Sequence, residues 1–296
     1  MPMPIASRFG NGGKYSPFQL AKKYSRYYLT ASNGKGHGIH SPFVYDFVRN
    51  VLNDSRDFPE YAIIERLRRQ LVQDRTILPV ADMGAGGALQ ATRQRSITDL
   101  ARHAAKPKKL GQLLFRIARY YRPETVLELG TSLGLSTAYL AMGAGGASTG
   151  ASETSHGPAT DRPSPHVFTI EGAPAVASVA KKNFHSLGLE GIDLTVGNFD
   201  AVLNSTLDRT GPVDLAFIDG NHRLAPTLRY FDLLMDGKPP SAVLIFDDIH
   251  WSGEMEAAWE SIKQDSRVYL TIDLFFIGLV FFRDTFKVKQ DFVIRF

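Results

Sequence analysis

The stretch Val126-Leu-Glu-Leu-Gly-Thr-Ser-Leu-Gly-Leu-Ser-Thr137 runs from an apolar segment through two glycines into a second apolar segment. This pattern predicts a buried strand, a tight turn and a helix, in that order. Small residues in such a turn let the backbone approach a ligand, and the following helix N-terminus offers free N–H groups to an anion. The stretch therefore predicts the first strand of a doubly wound α/β sheet that seats a nucleotide-like cofactor. A tight turn with no ligand is the alternative.

Apolar runs alternate with helical patterns after Leu110. Five strands are predicted, at Thr125–Leu129, Val167–Glu171, Ile192–Val196, Val213–Asp219 and Ala242–Asp247. Helices are predicted from about Leu133, Pro174, Pro226 and Ser252. Near-continuous apolar strands separated by helices are typical of a parallel sheet that is covered on both faces. Two further strands, Tyr269–Phe275 and Gly278–Arg283, have no room for a helix between them and predict a C-terminal antiparallel hairpin, which makes seven strands.

The first third of the chain has a different pattern. Helices are predicted after Ser16-Pro17, after Ser41-Pro42 and from Pro59, because serine followed by proline is typical of a helix start. We expect residues 1–107 to form a helical extension that covers the substrate, and residues 108–296 to form the cofactor domain. Small and polar residues at 143–165 predict a flexible insertion. A second glycine-rich motif, Asp82–Gly87, is interpreted as a loop because the polar segment Thr92–Ser96 after it is unsuited to a packed helix.

The charge is divided unevenly along the chain. Residues 1–122 carry 21 Lys and Arg against 8 Asp and Glu, whereas residues 123–296 carry 13 against 22, and the net charge is +4. The basic first part predicts attraction to an acidic substrate, a nucleic acid or an anionic surface, or else it is a solvated arginine-rich face. The chain has no cysteine, no apolar signal segment and no membrane-spanning run, so we expect a cytoplasmic protein.

Two histidines, His37 and His40, lie in the glycine-rich segment 33–40. A histidine pair of this spacing can bind a metal ion, but in a glycine-rich loop the pair is more often part of a hinge or a surface. We favour the second interpretation.

Carboxylates follow the fourth and fifth predicted strands. Asp219 ends the segment Phe217-Ile-Asp-Gly-Asn-His-Arg223, and Asp247 and Asp248 lie in Ile245-Phe-Asp-Asp-Ile-His-Trp-Ser-Gly253. Ligands bind at the carboxyl ends of the strands in open α/β sheets, and converging carboxylates repel unless a proton or a cation neutralises them. Oxygen ligands suit Mg²⁺. The sequence therefore predicts a magnesium site at Asp219, Asp247 and Asp248. The alternative is that Asp219 only positions a cofactor and the pair caps a helix.

Five parallel strands, a closing hairpin and the motif Glu128-Leu-Gly-Thr-Ser-Leu-Gly134 resemble the class I S-adenosylmethionine (SAM)-dependent methyltransferases. Within this class the chain is similar to metal-dependent O-methyltransferases of the catechol, caffeoyl-CoA and macrolide-sugar types. The nicotinamide fingerprint is absent, since Ser132 stands where its second glycine would be. The segment Gly38–Phe43 resembles the N-terminal part of bacterial methyltransferases from Bacteroidetes-type genomes.

The resemblance implies roles for particular residues. Glu128 is expected near the methionine end of SAM, Glu171 on the ribose hydroxyls, and Asn198 and Phe199 at the adenine. Asp219 is expected to contact both SAM and the metal. The remaining SAM contacts are expected from the turn and the helix start, at Gly130, Thr131, Ser132, Gly134 and Ser136. Glu171 follows Glu128 by 43 positions, and the insertion at 143–165 accounts for this long spacing; a plain acid at a helix start is the alternative.

His222 occupies the position at which catechol-type enzymes carry a lysine base, and enzymes of the macrolide-sugar type carry histidine there. The resemblance implies that His222 removes the proton of a metal-bound hydroxyl and that Asp219 assists it. His250 is expected either to assist this group or to lie on the rim of the loop.

Three functions follow, in order of preference. The first is metal-assisted O-methylation of a hydroxyl group of a small molecule. This function is compatible with an acidic acceptor and with a homodimer. The second is an RNA methyltransferase, which the basic N-terminal region and its tyrosines suggest. Against it, strand four ends in Ile-Asp-Gly-Asn-His222 and not in the Pro-Pro turn typical of base-amine methylation. The third is a non-catalytic SAM-binding protein, which the complete set of site residues disfavours.

Overall fold

The computed structural model describes residues 13–32, 34–36, 39–81, 92–145 and 164–296. The chain divides into two compact units. The first unit is Met1–Asn53 together with Pro212–Phe296, and the second is Asp54–Gly211. The predicted division into 1–107 and 108–296 stays a prediction.

The elements follow one another in this order: α1 (Pro17–Thr30), α2 (Pro42–Phe47), a π-helical turn (Val48–Leu52), α3 (Pro59–Gln73), β1 (Ile77–Ala81), β2 (Thr92–Ser96), α4 (Ile97–His103), α5 (Lys108–Tyr121), β3 (Thr125–Leu129), α6 (Leu135–Gly145), β4 (His166–Glu171), α7 (Pro174–Ser186), β5 (Ile192–Val196), α8 (Phe199–Thr210), β6 (Leu215–Ile218), α9 (Leu224–Met235), β7 (Val243–Asp247), α10 (Gly253–Gln264), β8 (Leu270–Asp273), β9 (Ile277–Phe281) and β10 (Gln290–Val293). No helix among the described residues has the length and apolar content needed to cross a bilayer.

The first unit contributes five strands, in the spatial order β10-β8-β9-β7-β6. Strands β6 and β7 are parallel, with Leu215 opposite Val243. Strand β9 is antiparallel to both β7 and β8, and β10 is parallel to β8. The carboxyl ends of β6, β7, β8 and β10 therefore share one edge, and the loops that follow β6 and β7 begin there.

The second unit contributes the parallel strands β3, β4 and β5, in that order. Strands β1 and β2 form a separate antiparallel pair. Buried apolar side chains of α3 to α6 pack into one core with the start of α7, and Ile64, Phe115 and Tyr139 are at its centre. Two glycines on α5 and α6 face aromatic residues across this contact, since Gly111 lies against Tyr139 and Gly143 against Phe115.

The predicted fold class is confirmed, since each unit contributes parallel strands with helices between them, and the two contribute eight sheet strands in all. The five parallel strands and the antiparallel β8–β9 hairpin were predicted, but the strand count of seven was wrong. Strand β10 was missed because it has four residues whose exposure alternates, so it has no apolar run. Helix α8 was also missed, since only Leu203 and Thr206 of its twelve residues are buried.

The structure describes part of the predicted glycine-rich insertion 143–165 and none of the second glycine-rich motif. Residues 146–163 of the predicted insertion lie outside the described residues, but Gly143–Gly145 belong to α6 and the predicted start at 143 was wrong. The helix continues there because Gly143 packs directly on the backbone of Phe115. The motif Asp82–Gly87 lies outside the described residues, and the flanking segments pair as β1 and β2.

The close contact between α5 and α6 leaves no room for a side chain at Gly143. A Cβ atom at Gly143 would lie 2.4 Å from the carbonyl oxygen of Phe115, whereas one at Gly145 would have only Pro165 Cδ, at 3.9 Å. We expect Gly143→Ala to lower the free energy of unfolding by about 1–3 kcal/mol through overpacking. The matched control Gly145→Ala should leave it unchanged or raise it slightly. Equal effects of both variants in urea unfolding would contradict this packing.

Candidate functional site

The turn after β3 has the backbone geometry expected of a ligand-binding turn. Its φ angles are +113° at Gly130, +48° at Ser132 and +83° at Gly134. The N–H groups of Gly130 and Thr131 donate to the carbonyl oxygen of Ile170, at 3.0 and 3.1 Å, so the turn is attached to the end of β4. Gly134 is also needed for packing, because a Cβ atom there would lie 2.5 Å from the ring of Phe184 on α7.

Glu171, at the end of β4, is joined to this turn. Its carboxylate accepts the N–H of Ser132 and the N–H of Ala173, each at 2.8 Å. Burial raises the pKa of Glu171, and the hydrogen bonds from Ala173, Ser132 and Gly172 oppose that rise. Since a carboxylate can accept about four hydrogen bonds, these contacts orient Glu171 and leave capacity for a further donor such as a ribose hydroxyl.

Glu128 is fully buried inside the second unit. Its carboxylate accepts hydrogen bonds from Thr137 and from Thr169, the latter at 2.7 Å, and Ser136 also bonds to it. Burial raises the pKa of Glu128 to about 7, although these hydroxyl bonds lower it. The side chain therefore connects β3, β4 and the first turn of α6. Its predicted contact with SAM stays a prediction.

The remaining predicted cofactor residues take positions around the same strand ends. Thr131 is buried and its hydroxyl lies 2.6 Å from that of Thr169. Asn198 caps α8 by accepting the N–H of Asp200 at 2.8 Å, and Phe199 is half-buried as the first residue of that helix. Sequence reasoning missed Asn183, which is buried on α7 and donates to the carbonyl oxygen of Leu133 at 2.8 Å. The one indication of this contact in the sequence is a polar residue on the otherwise apolar face of α7.

In the first unit, three predicted residues come together at the ends of β6 and β7. One ligand atom each from Asp219, His222 and Asp247 lies within 4.8 Å of the other two. Nε2 of His222 is 3.7 Å from Oδ1 of Asp219. Asp247 is 1% exposed, whereas the other two are half-buried. The group thus has one buried carboxylate and two side chains that solvent can reach.

Asp248 lies beside this group and outside it. Its Oδ2 is 4.0 Å from Nε2 of His222, and its backbone has a φ of +53°. Asn221, three residues before α9, has a φ of +52° and donates from Nδ2 to the hydroxyl of Tyr230 at 2.9 Å. Positive φ in non-glycine residues is strained, and such strain concentrates at functional sites. The predicted metal ligation by Asp248 stays a prediction.

The three donors fit a divalent cation. At a bond length of about 2.1 Å, adjacent ligands of an octahedral ion are about 3 Å apart and opposite ligands about 4.2 Å apart. The donor atoms of Asp219, His222 and Asp247 lie within 4.8 Å of one another, so small side-chain movements would bring them to these distances. Two carboxylates alone favour Mg²⁺ or Mn²⁺, while ligation by the imidazole of His222 would favour Zn²⁺ or Fe²⁺.

His250 lies in a network of charged groups in the first unit. Its Nδ1 is 3.0 Å from Glu256 and its Nε2 is 2.8 Å from Asp273. Burial would lower the pKa of His250, but the bonds to Asp273 and Glu256 outweigh burial and raise it to about 9. Burial would raise the pKa of Glu256, but His250, Lys23 and Tyr15 lower it to about 2. His250 therefore has two acidic partners, which the sequence did not indicate. Of the histidine pair, His40 is exposed and His37 lies outside the described residues.

This network predicts a pH dependence of stability. Because the folded pKa of His250 is about 9, above the usual value of 6.5, its contribution is complete below pH 6.5 and is lost as the pH rises through 9. We expect it to amount to as much as about 3 kcal/mol. The difference in unfolding free energy between the wild type and His250→Gln should shrink from pH 6 to pH 9.5. The exposed control His40→Gln should show no such change, and a pH-independent difference for His250→Gln would contradict the assignment.

Comparisons with known proteins agree with this architecture. Residues 127–249 match the family described as a methyltransferase domain. Cofactor-bound Rv0187 from MTB has 18% sequence identity and a TM-score of 0.52, over 82% of this chain and 96% of that chain. The O-methyltransferase from Bacillus cereus in complex with SAH has 18% identity and a TM-score of 0.50, over 81% and 97%. The O-methyltransferase TomG from Streptomyces achromogenes, involved in tomaymycin synthesis and in complex with SAM, has 20% identity and a TM-score of 0.50, over 80% and 95%. No curated protein sequence matches the chain.

The structural similarities, at these identities, concern the fold. The family match spans β3 to the residues just after β7, so it contains Glu128, Glu171, Asp219, His222 and Asp247. The resemblance seen in the sequence is thereby confirmed at the level of the domain, because residues 127–249 match a methyltransferase domain.

Proposed function

We propose that the protein is a SAM-dependent O-methyltransferase that uses a divalent cation to methylate a hydroxyl group of a small molecule. The observation that carries this proposal is the group of Asp219, His222 and Asp247 in a chain with a methyltransferase domain. A carboxylate pair with an adjacent imidazole provides both a cation site and a proton acceptor.

The second unit supplies the residues that would hold SAM. Glu171, already oriented by Ser132 and Ala173, would accept hydrogen bonds from the ribose hydroxyls. The turn Gly130–Gly134 would offer backbone N–H groups, and the start of α6 at Ser136 would face the carboxylate of SAM. Asn198 and Phe199 would contact the adenine, as the resemblance implies. Glu128 would support this arrangement from within the core.

The first unit supplies the residues for the acceptor. When bound, SAM provides the electrophilic methyl group and the cation polarises the acceptor hydroxyl. Asp219 and Asp247 would hold the cation, with Asp248 as the third predicted ligand. His222 would accept the hydroxyl proton at Nε2, and the fixed loops would align the acceptor and exclude water. Asp219 would also keep the imidazolium close after proton transfer, since the two groups are 3.7 Å apart.

The charge of the N-terminal region indicates the kind of acceptor. The described part of 13–53 carries Lys14, Lys22, Lys23, Arg26, Lys35 and Arg49 and only one acidic residue, Asp46. A basic surface of this kind favours an acidic small molecule by electrostatic attraction. A cytoplasmic location and a homodimer stay predictions.

A methyl-transfer assay tests the proposal. Transfer of labelled methyl from SAM should reach at least one member of a panel of catechols, sugars and acidic hydroxyl compounds, and it should stop with a chelator and return with Mg²⁺ or Mn²⁺. We expect His222→Ala to lower the rate by about 10²–10⁴-fold, the usual contribution of a general base. Label on RNA alone, or transfer unaffected by the chelator, would contradict the proposal.

Cation binding by Asp247→Asn and His222→Ala distinguishes a base from a cation ligand at His222. Asp247→Asn should weaken Mn²⁺ binding in calorimetry by about tenfold or more, since it removes a charged ligand. His222→Ala should leave Mn²⁺ affinity nearly unchanged if His222 is the base. Loss of Mn²⁺ binding in His222→Ala would show instead that the imidazole is a ligand.

A further inference from the structure

The loop Asp248–Ser252 begins directly after the buried Asp247 and connects β7 to α10. The N–H of Asp248 donates to the carbonyl oxygen of Phe276 at 2.7 Å, and the N–H of Trp251 donates to that of Asp248 at 2.9 Å. The φ of +53° at Asp248 is strained. A strained backbone persists only where the surrounding contacts hold it, so the conformation of this loop depends on its neighbours.

The N-terminal segment, Lys14–Thr30, is one of these neighbours. The N–H of Tyr15 donates to the carbonyl oxygen of Trp251 at 3.1 Å, and Lys14 and Ser252 form an antiparallel β-bridge. The ammonium of Lys14 lies 5.1 Å from the centre of the Trp251 ring. The segment thus contacts the loop through both backbone and side chains.

Glu256, in the first turn of α10, joins the two. It accepts the hydroxyl of Tyr15 at 2.7 Å, and its two oxygens accept Nζ of Lys23 at 2.9 and 3.0 Å. On its other side it binds Nδ1 of His250, within the loop, at 3.0 Å. Its side chain is only 18% exposed. One carboxylate therefore bonds to two residues of the N-terminal segment and to one residue of the loop.

A second route connects the same two segments through the β8–β9 turn. His250 also bonds to Asp273 at 2.8 Å, and Asp273 accepts the N–H of Phe275 at the same distance. The Phe275 ring stacks on His250, with centroids 5.1 Å apart, and packs on Tyr24 and Tyr27 of α1 at 5.0 and 5.2 Å. Two partners of His250, Glu256 and Phe275, therefore also contact the N-terminal segment.

We propose that Glu256 is a positioning residue through which the N-terminal segment sets the conformation of the loop Asp248–Ser252. The consequence for cation binding rests on the proposed function, because it assumes that Asp247 is a cation ligand. Glu256 acts through His250 and the loop, and not on the reacting atoms. The alternative is an ordinary ion pair that only attaches α1 to α10, and such pairs contribute little.

Two measurements on the full chain distinguish these possibilities. Hydrogen–deuterium exchange reports on peptides that cover 14–30 and 248–252, and calorimetry with Mn²⁺ alone reports on the cation site. Glu256→Gln should raise exchange in both peptides and weaken Mn²⁺ binding by less than the roughly tenfold loss that follows removal of a direct partner of a metal ligand, because Glu256 acts through the loop. Glu256→Asp, which keeps the charge, should restore part of both. Glu260→Gln is the matched control, because the Glu260 side chain, one turn further along α10, is 47% exposed and pairs only with its neighbour Lys263 among the described ion pairs.

Exchange in the peptide 248–252 decides between a positioning role and an ordinary ion pair. Faster exchange of 14–30 alone in Glu256→Gln, with 248–252 unchanged, would overturn the proposal. Exchange raised across the whole chain would indicate unfolding, and Tyr15→Phe, which removes a single bond to Glu256, then decides: it should raise exchange at 248–252, and no rise there would overturn the proposal. If the wild type binds no Mn²⁺, the proposed cation role fails, while the exchange data still decide the positioning role of Glu256.

Discussion

The burial of Asp247 at the carboxyl end of β7 is the constraint on which the candidate acceptor site depends. Its exposed fraction is 1%, yet Asp219 and His222 lie within 4.8 Å of it. A buried carboxylate is costly unless a hydrogen bond, a proton or a cation compensates it. Because β6 and β7 are parallel neighbours, their ends bring the half-buried Asp219 and the buried Asp247 to one edge of the sheet. The neighbouring imidazole then makes the group suited to cation binding and proton transfer together.

Strained backbone conformations occur in the loops that follow β3, β6, β7 and β8. Five non-glycine residues among those described have positive φ, and four of them follow the ends of strands: Ser132, Asn221, Asp248 and Phe275. The fifth, Arg122, ends helix α5. Each strained position costs about 1–3 kcal/mol and needs support from its surroundings. The support is visible, as Ser132 binds Glu171, Asn221 binds Tyr230 and Asp248 binds the backbone of Phe276. Each of these three strained loops is thus held in place by a hydrogen bond to a neighbouring element.

The regular part of the fold could be predicted because its signals are local. The strand Thr125–Leu129 and the helix starts at Pro17, Pro59 and Pro174 are found where the apolar runs and prolines indicated. Strand β10 and helix α8 could not be predicted in this way, since a short strand with alternating exposure and a mostly exposed helix have weak patterns. Their identity depends on tertiary pairing, which a single sequence does not show.

In the candidate site, too, some features could be predicted from the sequence and others could not. The grouping of Asp219 with Asp247 follows from strand order, which the apolar pattern reveals. The bonds of His250 to Glu256 and Asp273 depend on side chains brought together from α10 and the end of β8, and no spacing indicates them. The burial of Glu128 with Thr169 likewise depends on the register between β3 and β4.

Calorimetric titration with S-adenosylhomocysteine tests the central claim most directly, namely that this chain binds a SAM-type cofactor through Glu171. We predict micromolar binding to the wild type. Glu171→Ala should weaken it by about tenfold or more, since hydrogen bonds to a charged group are lost. The exposed control Glu190→Ala should bind as the wild type does. An absence of binding to the wild type, or equal affinity in Glu171→Ala, would contradict the claim.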